Sequence, residues 1–463
     1  MRYDAERARR SEPAAPARPH AVDAARRQLL GAGLGSLGLG LGALAGCVES
    51  GAGAAPSAAR SPATATAALT PVADPPPAPA SPPGTCLDFD HLWRRFVAQC
   101  VQPDGRVVDH DTPERVSTSE SQTYTLFFAL VADDRARFDK VLDWTRHNLA
   151  GGDFSARLPA WQWGLRDGRW GVLDANAASD ADLWLAQALF EAARLWKQPA
   201  HADTARAILR RVQREEVVDV PGLGLMLLPG PQGFVSADRQ QWRFNPSYSA
   251  VHQLRALATH DPQGPWAELA QQGVKMIQAV SLNGLAPDWV TWQLERSRMS
   301  LPGGVSGRWL THDAEKGDIG GYDAIRCYLW AAVLPPGDPV RATLLRALGG
   351  LQPWLQGDGP PPGKLSTTRA TLIEAGPPGF DAVALPYLAA LGDRAALARR
   401  LTRLQAAMSQ PLRYYDLVLM LFAIGALQGR WQSGADGLLI RRAPVRYPTA
   451  PLDPTCRPLP TSA

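Results

Sequence analysis

The sequence predicts an all-α fold, a ring of helical hairpins whose long loops gather on one face and form a cleft. Three observations predict it. Apolar residues recur at helical spacing in ten or more segments of similar length. Strand signals are few, the clearest running from Val217 to Leu228 through a Pro-Gly-Leu-Gly turn. Short turns alternate with long loops rich in Gly, Pro and Trp, as expected when antiparallel helix pairs follow one another. Spacing alone leaves an open solenoid as the other arrangement.

The elements follow in order. Residues 1–47 read as an N-terminal extension and an export signal. Arg26-Arg27 precedes a Gly-softened Leu run ending in Leu44-Ala-Gly-Cys47, too Gly-rich for a membrane span. Its last four residues resemble a bacterial lipobox, which implies cleavage before Cys47 and a lipid on its thiol. The paired arginines resemble a twin-arginine signal. Gly33-Leu-Gly-Ser-Leu-Gly38 is formally G-x-G-x-x-G, but no strand precedes it and no acid follows at ribose distance, so a dinucleotide site is excluded. Residues 48–85 are Ala, Pro, Ser, Thr and Gly with hardly a large apolar side chain, a flexible tether. The folded domain is expected over 86–440, with a Pro-rich tail at 441–463.

Within the domain, Tyr124, Phe127, Phe128 and Val131 form one apolar stripe, and Phe138, Val141, Leu142, Thr145 and Leu149 form the next, with Asp133-Asp134 between them. Further stripes run over 182–196, 202–216, 246–258, 266–280, 323–333, 339–355, 382–391, 394–408 and 412–427.

The net charge of +4 falls to +1 without the first 27 residues, which carry seven Arg against four acids. The remaining basic residues are interleaved with acids, so no nucleic-acid partner is expected. The eight histidines form no metal-ligand spacing, and no G-x-S-x-G elbow or phosphate loop is present; neither metal nor cofactor is expected. With Cys47 reserved for lipid, Cys86 and Cys456 bracket the domain and would bridge its ends in an oxidising compartment. Cys100 and Cys327, in apolar helical contexts, read as buried free thiols.

Carboxylate chemistry is what remains. Glu120 in Ser117-Thr-Ser-Glu-Ser-Gln-Thr-Tyr124, Asp180 in Asn176-Ala-Ala-Ser-Asp-Ala-Asp182 and Asp323 in Gly320-Gly-Tyr-Asp-Ala-Ile-Arg326 each sit where a helix begins. An acid there is ordinarily a cap. These three, however, adjoin aromatic residues: Tyr124 beside Glu120, Trp184 beside Asp180, and Tyr322 with Arg326 beside Asp323. The 15 tryptophans cluster in polar-flanked segments, including Trp161, Trp163 and Trp242, and flat indole faces suit the C–H faces of sugar rings. Inverting glycoside hydrolysis needs a protonated carboxyl and an ionised one. The helix dipole favours the ionised form, so the acid must be held neutral by burial or by a neighbouring carboxylate.

At these residues the chain resembles glycoside hydrolase family 8, and within it the branch encoded with bacterial cellulose synthase. The likeness runs from about Asp88 to about Gly429 through Ser119-Glu-x-Gln-x-Tyr124, Leu158-Pro-Ala-Trp161, Ala178-Ser-Asp-Ala-Asp182, Trp242-Arg-Phe-Asn-Pro-Ser-Tyr248, Pro287-Asp-Trp-Val290 and Tyr322-Asp-Ala-Ile-Arg326. The resemblance implies an (α/α)6 barrel and inverting hydrolysis of internal β-1,4-glucosidic bonds. It implies Glu120 as general acid, Asp323 as base and Asp180 as an orienting aspartate, with Arg326 holding Asp323. Tyr124, Trp161, Trp163, Trp242, Tyr248, Tyr322 and Arg326 are the expected substrate-binding set. Ser121 and Thr125 stand where such enzymes often carry glycine, and Gly321 where they carry serine.

The resemblance further implies a cellulose chain as partner, the cellulose synthase export machinery as a second, and the periplasm as location, with membrane contact only through the lipid. Xylan, chitosan or mixed-linkage glucan are other substrates for the same site. A non-catalytic glucan-binding lipoprotein is the reading from another class.

Overall fold

The computed structural model describes residues 87–295 and 306–442. The leader with its Cys47 lipobox, the tether, Cys86 and Cys456 lie outside the described residues.

Twelve α-helices are present among the described residues. They are α1 Phe89–Cys100, α2 Ser119–Ala132, α3 Arg135–Asn148, α4 Ser179–Trp196, α5 Pro199–Glu215, α6 Val251–His260, α7 Trp266–Val280, α8 Ile325–Ala332, α9 Pro339–Ala347, α10 Pro378–Leu391, α11 Arg394–Ala407 and α12 Tyr414–Leu427. The even-numbered helices pack one against the next, and α12 returns to α2, so the ring is closed rather than a solenoid. Each inner helix carries an outer partner: α3 on α2, α5 on α4, α7 on α6, α9 on α8, α11 on α10, and α1 on α12.

Composition decides which helix lies inside. Helix α2 buries every residue from Ser121 to Val131, and α12 every residue from Asp416 to Gly425, because both are apolar all round. Outer helices bury one stripe: Phe138, Val141, Trp144 and Thr145 on α3, and Ala205, Ile208, Leu209 and Val212 on α5. Down the axis, Phe127, Trp184, Trp330 and Phe422 pack edge to face or tilted, with successive centroids 5.0, 5.6 and 5.2 Å apart. Each such ring contributes about 1.5–3 kcal/mol through burial. The domain ends are fastened by hydrogen bonds: the Phe89 N–H donates to Gln428 Oε1 at 3.0 Å, and Arg430 donates to Asp90 at 2.7 Å.

Strand content exceeds the expectation. The strands are β1 Ser117–Thr118, β2 Gln162–Arg166, β3 Arg169–Asp174, β4 Val217–Val220, β5 Gly224–Leu227, β6 Gln241–Phe244, β7 Val290–Leu294, β8 Gly307–Leu310, β9 Ile319–Gly320, β10 Pro362–Ser366, β11 Thr371–Ala375, β12 Trp431–Ser433 and β13 Leu439–Arg441. They form five small antiparallel sheets. Three of these lie on the face where the inner helices begin. The sheet β1-β2-β3 leads into α2, β6-β7-β8 flanks the segment before α6, and β11-β10-β9 leads towards α8. Most of the Trp-rich stretches read as loops are therefore hairpins or their flanks. In the β2–β3 turn, Asp167 and Gly168 both take positive φ, 52° and 72°, the Asp-Gly pairing that closes a two-residue hairpin.

Three helices differ from their stripes. Helix α1 follows no stripe singled out above. The stripe at 246–258 breaks into a 3₁₀ turn over Pro246–Tyr248 and then α6, and that at 339–355 breaks at Gly349-Gly350 into α9 and a 3₁₀ segment. Cys100 and Cys327 are buried free thiols, as expected.

Candidate active site

None of the three acids is the cap of its own helix. Thr118 caps α2, accepting from the Ser121 N–H at 3.1 Å, while the Ser121 hydroxyl accepts from the Thr118 N–H at 3.0 Å. This reciprocal cap explains Ser121 and leaves the Glu120 side chain available to the cleft. Helix α4 has no side-chain cap at Ala178, and Asp180 Oδ1 accepts from the N–H of Ala181 at 2.9 Å. At the entry to α8, Asp288 does the capping from a different segment. Its Oδ1 accepts from the N–H groups of Gly321, Asp323 and Ala324 at 2.8, 3.1 and 2.7 Å. A Cβ at Gly321 would stand 3.3 Å from the other Asp288 oxygen and 3.0 Å from the Gly363 carbonyl, which accounts for glycine there.

Ring closure brings the three acids together. Tyr124, one turn along α2 from Glu120, donates its hydroxyl to Asp180 Oδ2 at 3.2 Å. The Arg326 guanidinium lies 3.0 Å from Asp323 Oδ1 and 3.9 Å from Asp180 Oδ2, and donates to Ser247 Oγ at 2.8 Å. Trp289 Nε1 donates to the second Asp323 oxygen at 3.1 Å. On the other side, Trp161 Nε1 donates to Glu120 Oε1 at 3.1 Å and the Ser119 hydroxyl to Oε2 at 3.3 Å.

Electrostatics agree with this proximity. Burial, then the charges of Glu120 and Asp323, push the Asp180 carboxyl up to about 7 against the downward pull of Arg326. Burial, then Asp180, Glu120 and Asp323, hold the Tyr248 phenol well above its ordinary range, so Tyr248 feels all three acids. Its ring also lies 5.8 Å from the Arg326 guanidinium. Asp288 is raised to about 7 by burial and by Asp323. Behind Asp180, Asp182 and Glu216 are fully buried, and burial first, then other nearby carboxylates, hold both carboxyls well above the usual range.

Of the residues singled out from sequence, Glu120, Tyr124, Trp161, Asp180, Tyr248, Asp323 and Arg326 share this site. Tyr322 stands beside it, its ring against Phe380 and Tyr415 and its carbonyl accepting from the Tyr415 hydroxyl at 2.8 Å. Trp242, 3% exposed, packs in a satellite core with Trp292, Phe244 and Met226. Trp163 likewise packs against Trp144 and Trp170 rather than standing alone in the cleft. Asp288, Trp289, Ser247 and Tyr415 were given no role from sequence. For the first three the signal was the Pro287-Asp-Trp-Val290 and Asn245-Pro-Ser-Tyr248 segments, whose polar side chains had no local helix to serve; Tyr415 lies in neither.

The sequence profile described as glycosyl hydrolases family 8 matches residues 84–429. The chain is 46% identical over 355 residues to an endoglucanase of Xanthomonas axonopodis pv. citri (strain 306), covering 75% of this chain and 88% of that protein. It is 39% identical over 365 residues to an endoglucanase of Pseudomonas fluorescens (strain SBW25), covering 75% and 89%. The crystal structure of an endo-1,4-D-glucanase from Vibrio fischeri ES114 superposes with a TM-score of 0.68 at 36% identity, covering 76% of this chain and 98% of that one.

Proposed function

The chain belongs to glycosyl hydrolase family 8, and from that premise we propose that it is an exported endo-β-1,4-glucanase that inverts the anomeric centre and acts in cellulose synthesis. Endoglucanase activity accords with the relatives' names. The observation that carries the assignment of roles is the contrast between the partners of the two outer acids. Asp323 receives a guanidinium and an indole N–H, donors suited to a carboxylate that activates water. Glu120 receives an indole N–H and a hydroxyl at the mouth of the site, where a protonated carboxyl can reach a glycosidic oxygen.

In this reading the glucan chain lies across the inner-helix N-termini with its scissile bond between Glu120 and Asp323. Glu120 protonates the leaving oxygen as the bond to C1 breaks. Water, deprotonated by Asp323, attacks C1 from the opposite face. Asp180, poised near neutrality between Tyr124 and Arg326, orients and polarises the sugar at the scissile bond. Hydrolysis of cellohexaose followed by NMR is expected to release new reducing ends first as the α-anomer. Fresh β-anomer would overturn inversion, and turnover of xylan or chitosan in preference to cellulose would replace the substrate.

Among the described residues no helix is long and apolar enough to cross a membrane. We place the enzyme in the periplasm, held by a lipid on Cys47, on the strength of the Leu44-Ala-Gly-Cys47 motif and the tether that follows. Metabolic labelling with a radioactive fatty acid is expected to mark the full chain and to be lost in Cys47→Ala; equal labelling of both would remove the anchor. The role beside the cellulose synthase machinery predicts altered cellulose in a deletion strain, and unaltered cellulose would remove that role.

A further inference from the structure

Large hydrophobic side chains exposed among the described residues are few, and two of them, Trp170 and Val172 at 47% and 46%, lie two residues apart on β3. Alternation along a strand puts both on one face of this edge strand. Contiguous exposed apolar surface, unlike single scattered side chains, is a feature of binding sites. The Trp170 ring is preorganised. It stacks on Trp163 with centroids 5.3 Å apart and planes at 13°, and the Arg106 guanidinium sits 4.5 Å from its centroid. Arg106 is itself only 5% exposed and donates to Ser117 Oγ at 2.8 Å and to the Arg115 carbonyl. Trp170 is thus held in place by Trp163 and Arg106 while remaining 47% exposed.

Val172 also lines a cavity of about 450 Å³, together with Leu158, Asn148, Arg157, Asn176 and Gln232. That size holds a small ligand, and the mixture of aliphatic wall, amides and a guanidinium offers both an apolar surface and hydroxyl partners. The cavity is not the catalytic cleft. Its lining includes none of Glu120, Trp161, Asp180, Tyr248, Asp323 or Arg326.

We infer that the β2–β3 hairpin and this cavity form a second glycan-binding site on the outer side of the cleft wall, taking a β-1,4-glucan chain with one sugar ring stacked on Trp170. The inference rests on the glucanase reading of the chain. A polymer is long enough to occupy the cleft and this surface together, and the same sheet that carries Trp170 leads through β1 into Glu120, so the site would hold chain next to the acid.

The test uses the full-length protein and a Trp170→Ala, Arg157→Ala double variant. Retention on insoluble cellulose is expected to weaken by about five- to tenfold, as for the loss of one stacked ring. Both positions are at the surface, so the unfolding midpoint and kcat/KM on cellotetraose are expected to stay at wild-type values. Wild-type retention in the variant overturns the second site. Loss of cellotetraose turnover also overturns it, because the pair would then belong to the cleft. Should the double variant fail to fold, Val172→Lys, which obstructs the cavity mouth from an exposed position, is expected to give the same loss of retention, and unaltered retention there is equally decisive against the site. A wild-type protein that cleaves no β-1,4-glucan would instead overturn the glucanase reading, a result separable from either.

Discussion

Replacement of Glu120 by Gln is expected to cut turnover of a β-1,4-glucan by about 10²–10⁴-fold, the contribution of a positioned general acid, with the fold unchanged. The amide keeps the acceptor for the Trp161 indole but has no proton of suitable acidity to give the leaving oxygen. Asp323→Asn is expected to lose a similar factor. Its amide oxygen still accepts from Arg326 or Trp289, yet it cannot take a proton from water. The two variants are separable by leaving group. An activated aryl β-cellobioside needs little protonation, so it should restore much of the bond cleavage in Glu120→Gln and none in Asp323→Asn. Equal restoration in both would mean that the roles are wrongly divided, and near-normal turnover of cellulose by either variant would remove that residue from the chemistry.

Asp180→Asn is expected to separate stability from activity. The folded-state carboxyl is raised from about 3.8 to about 7, chiefly by burial and by the Glu120 charge. Between those values the folded protein holds a proton that the unfolded chain has released, so this group's contribution falls as pH rises from about 4 to 7 and is level above that. A shift of this size corresponds to at most about 4 kcal/mol. The asparagine variant escapes the penalty. Its unfolding midpoint is therefore expected to exceed the wild-type value at pH 8.5 and to approach it at pH 4.5, while turnover drops by orders of magnitude. Asp288, also raised by burial and by Asp323, makes the wild type lose stability over the same window, so the informative quantity is the difference between variant and wild type at each pH. A variant less stable than wild type at pH 8.5 would show instead that Arg326 holds Asp180 as a net stabilising anion.

Much of this architecture was legible in the chain. The α2–α3 hairpin, the stripes of α4, α5, α7, α11 and α12, and the free thiols at Cys100 and Cys327 follow from spacing and local polarity. The hairpin β2–β3 was not legible: its Asp-Gly turn stands in Arg166-Asp-Gly-Arg169, but the density of Trp and Gly there reads as loop. Trp242 shows the limit from the other side. A polar-flanked tryptophan looks the same in sequence whether its ring faces a ligand or a partner strand, and here it packs beside Trp292 across the β6–β7 pair.

What the sequence determined by itself was local: the helical period, the placement of Glu120, Asp180 and Asp323 at the starts of inner helices, and the aromatic company each keeps. Tertiary structure decided which of these groups meet. That Asp288 rather than Asp323 caps the entry to α8, that one guanidinium serves both Asp323 and Asp180, and that the Trp161 indole reaches Glu120 all depend on side chains from different segments. The physical reason is that helical periodicity is written within a few turns of chain. The charge state of Asp180, by contrast, is set by desolvation and by carboxylates 60 and 143 residues away, which act on it only once the ring has closed.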